Sequence, residues 1–186
     1  MDDVPCYRRV VLKLSGEALK GEQAFGIAES VISGIASQVK KIHEMGVDVA
    51  IVTGGGNFFR GLRSNNLGID RTSADYMGML ATVINGIALR DAFEYAGLEA
   101  RLVSALDIKA VADPFNRREV MNHLENKKIV IFAAGTGNPF FTTDTAAALR
   151  AIEIKADVLL KATMVDAVYS DDPKHVKDAE RFDRIS

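Results

Sequence analysis

The chain predicts an α/β domain of three layers, an α/β/α sandwich whose central sheet is mostly parallel. Three observations carry this expectation. Short apolar, β-branched runs alternate along the chain with segments whose apolar residues recur at helical spacing. Most of the runs are hydrophobic with little interruption, as strands buried on both faces must be, rather than alternating with polar residues. Several of them lead into polar loops rich in glycine or threonine, and in open sheets of this kind ligands bind beyond the carboxyl ends of the strands.

Taken in order, Arg8 to Leu14 reads as the first strand and stops at Ser15-Gly16, a turn signal. Past a loop around Gly21 and Gly26, the positions Val31, Ile32, Ile35, Val39 and Ile42 follow helical spacing. Gly46 suits the residue just after that helix. Val47 to Val52 is the next strand, apolar except for Asp48, and it runs into Gly54-Gly55-Gly56. A long helix covers about Thr72 to Tyr95 and is closed by Gly97, with Met77, Met79 and Leu80 as core contacts. Arg101 to Ala105 is a short strand, and Pro114 opens a short helix over Phe115 to Leu124. Lys128 to Ala134 is a strand feeding the loop Gly135-Thr-Gly-Asn-Pro-Phe-Phe-Thr-Thr-Asp144. The helix Thr145 to Ile154 follows, with Asp144 or Thr143 as its N-cap. Asp157 to Leu160 is a last buried strand, ending at Lys161-Ala162-Thr163. With no repeat, low-complexity segment or linker, residues 1–186 read as a single domain.

Bulk properties exclude several classes. A domain of 186 residues buries roughly 70% of its unfolded surface and needs no disulfide or metal staple. Cys6 is the sole cysteine, which fits a reducing compartment. A net charge of −2 and pairs as short as Arg117-Arg118 and Lys127-Lys128 give no nucleic-acid footprint. Asp2 and Asp3 precede a strand-like run rather than a secretory h-region, and no apolar stretch reaches membrane-spanning length. The expectation is a soluble, cytoplasmic protein with no membrane partner. His43, His123 and His175 lack ligand spacing, so no protein metal site is expected.

The chemistry-bearing residues fall at the predicted strand ends. No G-x-x-x-x-G-K-[ST] or G-x-G-x-x-G fingerprint is present. Lys13, in an otherwise apolar strand, reads either as a snorkelling lysine or as a cation for phosphates, with Ser15 and Gly16 supplying N–H donors. Gly54-Gly55-Gly56-Asn57 lets a ligand approach the backbone closely. Arg60 is either a phosphate fork or a solvated side chain. Asp75 either suits the helix dipole or accepts from ribose hydroxyls. Thr136, Thr142 and Thr143 line a strand-to-helix junction of the kind that holds anions. Lys161 repeats the logic of Lys13, and Asp144 between them makes a rational phosphoryl-transfer set, a reaction that needs charge neutralisation and alignment.

Taken together, Lys13-Leu-Ser-Gly-Glu-Ala18, Gly54-Gly-Gly-Asn-Phe-Phe-Arg60, Asp75-Tyr-Met-Gly-Met-Leu-Ala-Thr82, Thr136-Gly-Asn-Pro-Phe-Phe-Thr-Thr-Asp144 and Leu160-Lys-Ala-Thr163 resemble the bacterial uridylate kinases (UMP kinases) of the amino-acid kinase superfamily. The likeness extends over nearly the whole chain with the motifs in order. It implies the carbamate-kinase-like fold and phosphorylation of UMP to UDP by ATP, with Mg²⁺ bridging the ATP phosphates, on the route of pyrimidine nucleotides towards CTP. On matching positions it implies that Lys13, Leu14, Ser15, Gly16, Gly56 and Arg60 face ATP, with Thr163, Tyr169 and Asp172 around its adenine and ribose. Gly55, Asp75, Thr136, Gly137, Asn138, Pro139, Phe140, Phe141, Thr142 and Thr143 would hold UMP. Lys13 and Lys161 would stabilise the transferring group, and Asp144 would organise both lysines.

The resemblance further implies a homo-hexamer, activated by GTP and inhibited by UTP. The apolar residues from Met77 to Ala88 fit an oligomer contact, and core packing accounts for them equally. The family continues past the position of Ser186 with a helix-rich segment and a closing strand, so the expectation is a domain lacking that part. Two other functions share features with this reading. Acetylglutamate and carbamate kinases share the Lys-x-x-Gly and glycine-run logic but not the Thr-Gly-Asn-Pro-Phe-Phe-Thr-Thr loop. A non-catalytic uridine-nucleotide sensor would have no need of Lys13, Lys161 and Asp144.

Overall fold

The computed structural model describes residues 5–59, 68–162, 167–171, 173, 176 and 178–184. The main sheet has six strands in the order β4-β3-β5-β2-β1-β6. These are β1 (Arg9–Leu14), β2 (Asp48–Thr53), β3 (Ala100–Ser104), β4 (Asp113–Pro114), β5 (Ile129–Ala133) and β6 (Val158–Ala162). Every pairing in it is parallel. The intervening helices are α1 (Gly16–Leu19), α2 (Glu29–Glu44), α3 (Arg71–Tyr95), α4 (Arg117–Glu125) and α5 (Thr143–Glu153). A two-stranded antiparallel sheet of β7 (Val168–Tyr169) and β8 (Arg181–Phe182) follows.

Strand parity sorts the core into two halves, which makes the three layers. Val49 and Ile51 of β2 and Ile129 and Ile131 of β5 join Val39 of α2 and Val83, Leu89 and Phe93 of α3 on one face. Ala50 and Val52, with Val130 and Phe132, join Val120 and Leu124 of α4 and Ala147 of α5 on the other. Successive strand residues point to opposite faces, so strands covered on both sides carry no polar alternation; β2 is buried along its whole length.

The main elements occur where the sequence places them, with ends shifted by a few residues, and the exceptions have physical causes. The last strand is not buried: β6 lies at the sheet edge, and Leu159 and Leu160 are exposed. Pro114 does not open a helix: it closes β4, pairing with Ser104 at the sheet edge, where a residue without an N–H is tolerated. The helix start belongs to Asn116, whose side chain accepts from the N–H groups of Arg118 and Glu119. Met79 is buried as expected, but Met77 and Leu80 are exposed on the outer side of α3. Gly46 and Gly97 do follow their helices with φ of 89° and 84°.

Asp48, the polar exception in β2, is 3% exposed. Its carboxylate bridges the Arg9 guanidinium at 3.0 Å and the Lys127 ammonium at 2.7 Å. Arg9 also donates to the Ile154 carbonyl, and Asp157 accepts from the Arg8 and Arg9 backbone N–H groups. These pairs tie the amino ends of β1 and β2 to the segments preceding β5 and β6. Replacing Asp48 by alanine leaves the Arg9 charge partly buried without its partner. Urea unfolding of Asp48→Ala should show a loss of about 3 kcal/mol; a loss below about 1 kcal/mol would mean the bridge is energetically idle.

Candidate functional site

Parity also builds the site. Lys13 shares its face of β1 with Val11, which packs on the side of α4 and α5. Lys161 is the register partner of Lys13 on the neighbouring parallel strand and therefore points the same way. Both lie near the carboxyl ends of their strands, and α5 begins on that side of the sheet. Asp144, in the first turn of α5, meets them: Oδ1 accepts from Lys13 Nζ at 2.8 Å and Oδ2 from Lys161 Nζ at 2.8 Å. The side chains of Asp144 and Lys161 are about half exposed, while that of Lys13 is only 10% exposed.

The helix start differs from expectation in a useful way. Thr142, not Thr143 or Asp144, is the N-cap of α5; its hydroxyl accepts from the Thr145 N–H at 3.1 Å. Thr142 has the extended backbone a cap requires (φ −84°, ψ 161°). Asp144 is thereby relieved of capping, and both its oxygens serve the lysines. Partial burial pushes the Asp144 carboxyl up. The hydrogen bonds and charges of Lys13 and Lys161 outweigh that and hold it below the usual aspartate value.

A cleft beside this triad is lined by Gly55, Asp75, Thr82, Thr136, Phe141 and Thr143, among others. Two backbone constraints shape it. A Cβ on Gly55 would lie 2.6 Å from the Gly78 carbonyl of α3, so only glycine lets this loop rest on the helix. The turn leaving β5 has positive φ at Ala134 and Gly135, 61° and 58°. Thr82 of α3 holds that turn, its hydroxyl accepting from the Ala134 N–H at 2.7 Å while donating to the Met79 carbonyl at 2.6 Å. Asp75 is engaged by protein groups: Arg71 Nε lies 2.9 Å from both of its oxygens, and the Phe140 N–H donates to it at 2.8 Å. Arg71 also stacks over the Phe140 ring at 5.5 Å.

The structure thus brings Lys13, Asp144 and Lys161 together, and sets Gly55, Asp75, Thr136, Asn138, Phe141 and Thr143 around one cleft. Leu14, Ser15 and Gly16 follow Lys13 directly. A Cβ on Gly16 would lie 2.6 Å from the Gly56 N, which shows how tightly the turn after β1 and the glycine loop after β2 abut. Gly137, Pro139, Phe140 and Thr142 belong to the loop that walls the cleft, and Phe140 is exposed. Tyr169 sits in the separate β7–β8 pair. Arg60, Thr163 and Asp172 lie outside the described residues. Sequence reasoning missed Arg71, Thr82 and Asn85. Only Arg71 carried a signal, its spacing of four from Asp75.

With this geometry in view, the comparisons with known proteins are informative. Residues 8–186 match the model of the amino acid kinase family, and the chain belongs to that family. It is 41% identical to a UMP kinase of Bacillus anthracis, whose crystal structure it matches with a TM-score of 0.88 over 94% of this chain and 72% of that one. A UMP kinase of Ureaplasma parvum is 37% identical, with a TM-score of 0.89 over 96% and 76% of the two chains. A uridylate kinase of Archaeoglobus fulgidus is 33% identical, with a TM-score of 0.71 over 95% and 73%.

The depressed Asp144 pKa gives a directional test. A group whose folded pKa lies below its unfolded value contributes stability that is complete above the unfolded pKa and fades as pH falls through the folded one. The triad should therefore stay intact from neutral pH down past the ordinary aspartate range. Carboxylate ¹³C NMR should place the Asp144 midpoint below that range, and Lys161→Met should raise it. A wild-type midpoint at or above the ordinary value contradicts the pairing.

Proposed function

We propose that this chain is an ATP-dependent UMP kinase that makes UDP for pyrimidine nucleotide synthesis. The observation that carries it is the convergence of two strand-end ammonium groups on one carboxylate, beside a cleft walled by the Thr136–Thr143 loop. The likeness to UMP kinases at 33–41% identity over nearly all of this chain supports the choice of acceptor.

In the reaction, an oxygen of the UMP phosphate attacks the γ-phosphorus of ATP, the new P–O bond forms, and the bond to the β-phosphate oxygen breaks as ADP leaves. The attacking oxygen is already anionic at neutral pH, so no general base is required. Each lysine carries three N–H donors, and Asp144 takes one from each. The remaining donors are those a migrating phosphoryl group would meet, neutralising its charge without reorganisation. The Gly54–Gly56 and Ser15–Gly16 backbones supply close-approach surfaces for the donor phosphates.

Magnesium enters this proposal as part of the MgATP substrate. Both Asp144 oxygens are engaged by lysines. No helix of the described residues is long and apolar enough to cross a membrane; work in the cytoplasm rests on the sequence reading. Assembly into a homo-hexamer is part of the same reading. It is supported by the uncovered outer stripe of α3, where Tyr76, Met77, Leu80 and Ile84 are 39–48% exposed. Activation by GTP and inhibition by UTP rest on the sequence resemblance alone.

Coupled ADP release against UMP, CMP, N-acetylglutamate and carbamate should show clear preference for UMP. Lys13→Met should lower kcat by about 10²–10³ with UMP affinity little changed. Preference for an acyl-phosphate-forming acceptor, or UMP binding with no turnover, would overturn the proposal. For assembly, sedimentation velocity should find Leu80→Glu dissociated relative to the wild-type chain; identical profiles would remove α3 from the interface.

A further inference from the structure

We propose that Asn85, acting through Asn57, is a positioning residue of the donor site: the two buried amides fix the glycine loop in the shape that receives ATP. The inference rests on the UMP kinase reading and assigns it residues that never touch substrate.

Asn85 lies in the interior of α3 and is fully buried, and Asn57, just after the glycine run, is 3% exposed. A buried amide is costly unless its hydrogen bonds are made, and most of its neighbours on this buried helix face are apolar. The bonds are made. Each amide donates to the other, Nδ2 to Oδ1 at 2.8 Å in both directions. The second Asn85 N–H goes to the Gly54 carbonyl at 2.7 Å, and the second Asn57 N–H to the Gly26 carbonyl at 2.8 Å. The Asn57 backbone carbonyl in turn accepts from the Gly26 N–H at 3.2 Å.

The orientation of both amides follows from these partners. Flipping Asn85 would set its oxygen against the Gly54 carbonyl, and flipping Asn57 would do the same at Gly26; neither flip leaves a satisfied network. The pair therefore works as a directional clamp rather than as filler. Its hydrogen bonds hold two backbone segments, the Gly54 turn after β2 and the Gly26 loop before α2, and Asn57 also abuts the Ser15–Gly16 turn after β1. On this last segment, a Cβ at Gly16 would lie 2.8 Å from Asn57 Oδ1. The Ser15–Gly16 turn and Gly56 belong to the proposed donor side; Gly55 of the same glycine run rests on α3 and lines the acceptor cleft, and the acceptor loop itself is held separately, by Thr82 and Asp75. A small loop displacement from the phosphates is enough to cost rate.

The test compares Asn85→Asp, nearly the same shape but with an acceptor facing the Gly54 carbonyl, with Leu89→Ala. Leu89 is fully buried on the same helix and purely apolar. Kinetics are read at a temperature where thermal unfolding shows each protein folded, with UMP binding followed by calorimetry. Asn85→Asp should raise the KM for ATP or lower kcat by about ten- to a hundredfold, while UMP affinity changes by less than about threefold. Leu89→Ala should lose stability yet keep its kinetic constants. Should Asn85→Asp fail to fold, Asn85→Ser is read by the same criteria. Wild-type ATP kinetics in a folded Asn85 variant overturn the inference, as does equal loss of ATP and UMP binding. A wild-type chain that does not phosphorylate UMP overturns the functional reading and this one with it, and is told apart by the wild-type assay alone.

Discussion

The Lys13–Asp144–Lys161 bridge is the interaction around which the site is arranged. Two like charges on adjacent strands repel, and a register that sets Lys13 beside Lys161 is tolerable only because a carboxylate stands between them. That carboxylate can reach both because strand parity aims the two lysines at the face on which α5 packs, and because Thr142 takes over the capping of α5. The bridge leaves an excess of one positive charge among its three members. It sits at the carboxyl ends of the strands, where loops can carry a ligand to it.

The second constraint is close approach. Gly16 and the Gly54–Gly55 pair let two stretches of backbone lie against one another, and the second against α3, with no room for a Cβ on Gly16 or Gly55. Helix α3 is the common wall. One side of it presents Asp75 and Thr82, both hydrogen-bonded to the loop between β5 and α5, and Asn85, hydrogen-bonded to the glycine loop after β2. The opposite side carries the exposed apolar stripe. The helix has an otherwise mostly apolar buried side, with Met79, Val83, Leu89 and Phe93 in the core, so its few polar groups are the exception that the loops explain, and the open stripe adds a second apolar surface. Its inner face is shaped by the loops it holds, and its outer face by whatever covers it.

Much of this was legible in the residues. The central strands β2 and β5, buried on both faces, read as apolar runs, whereas β6 carries an equally apolar sequence on an exposed edge; the glycines after α2 and α3 sit at the helix stops their positive φ demands. The triad was legible because lysines at strand ends are chemically conspicuous. Other features had no readable signal. A two-residue strand such as β4 is too short for periodicity. Thr142, Thr143 and Asp144 are all able caps, so composition does not choose among them. Met77 and Leu80 carry the same hydrophobicity as Met79, and nothing in the letters tells which side of α3 its own chain covers. Asn85 looks like a solvent-facing amide until its partner Asn57, 28 residues away, is placed beside it.

The central claim is that the two ammonium groups converge on a transferring phosphoryl unit. A crystal structure of the chain with UMP and a β,γ-imido ATP analogue tests it most directly. The account predicts γ-phosphate oxygens within about 2.7–2.9 Å of both Lys13 Nζ and Lys161 Nζ, with the UMP phosphate in line on the far side. A γ-phosphate bound away from both lysines, with the Asp144 bridge undisturbed, would contradict it.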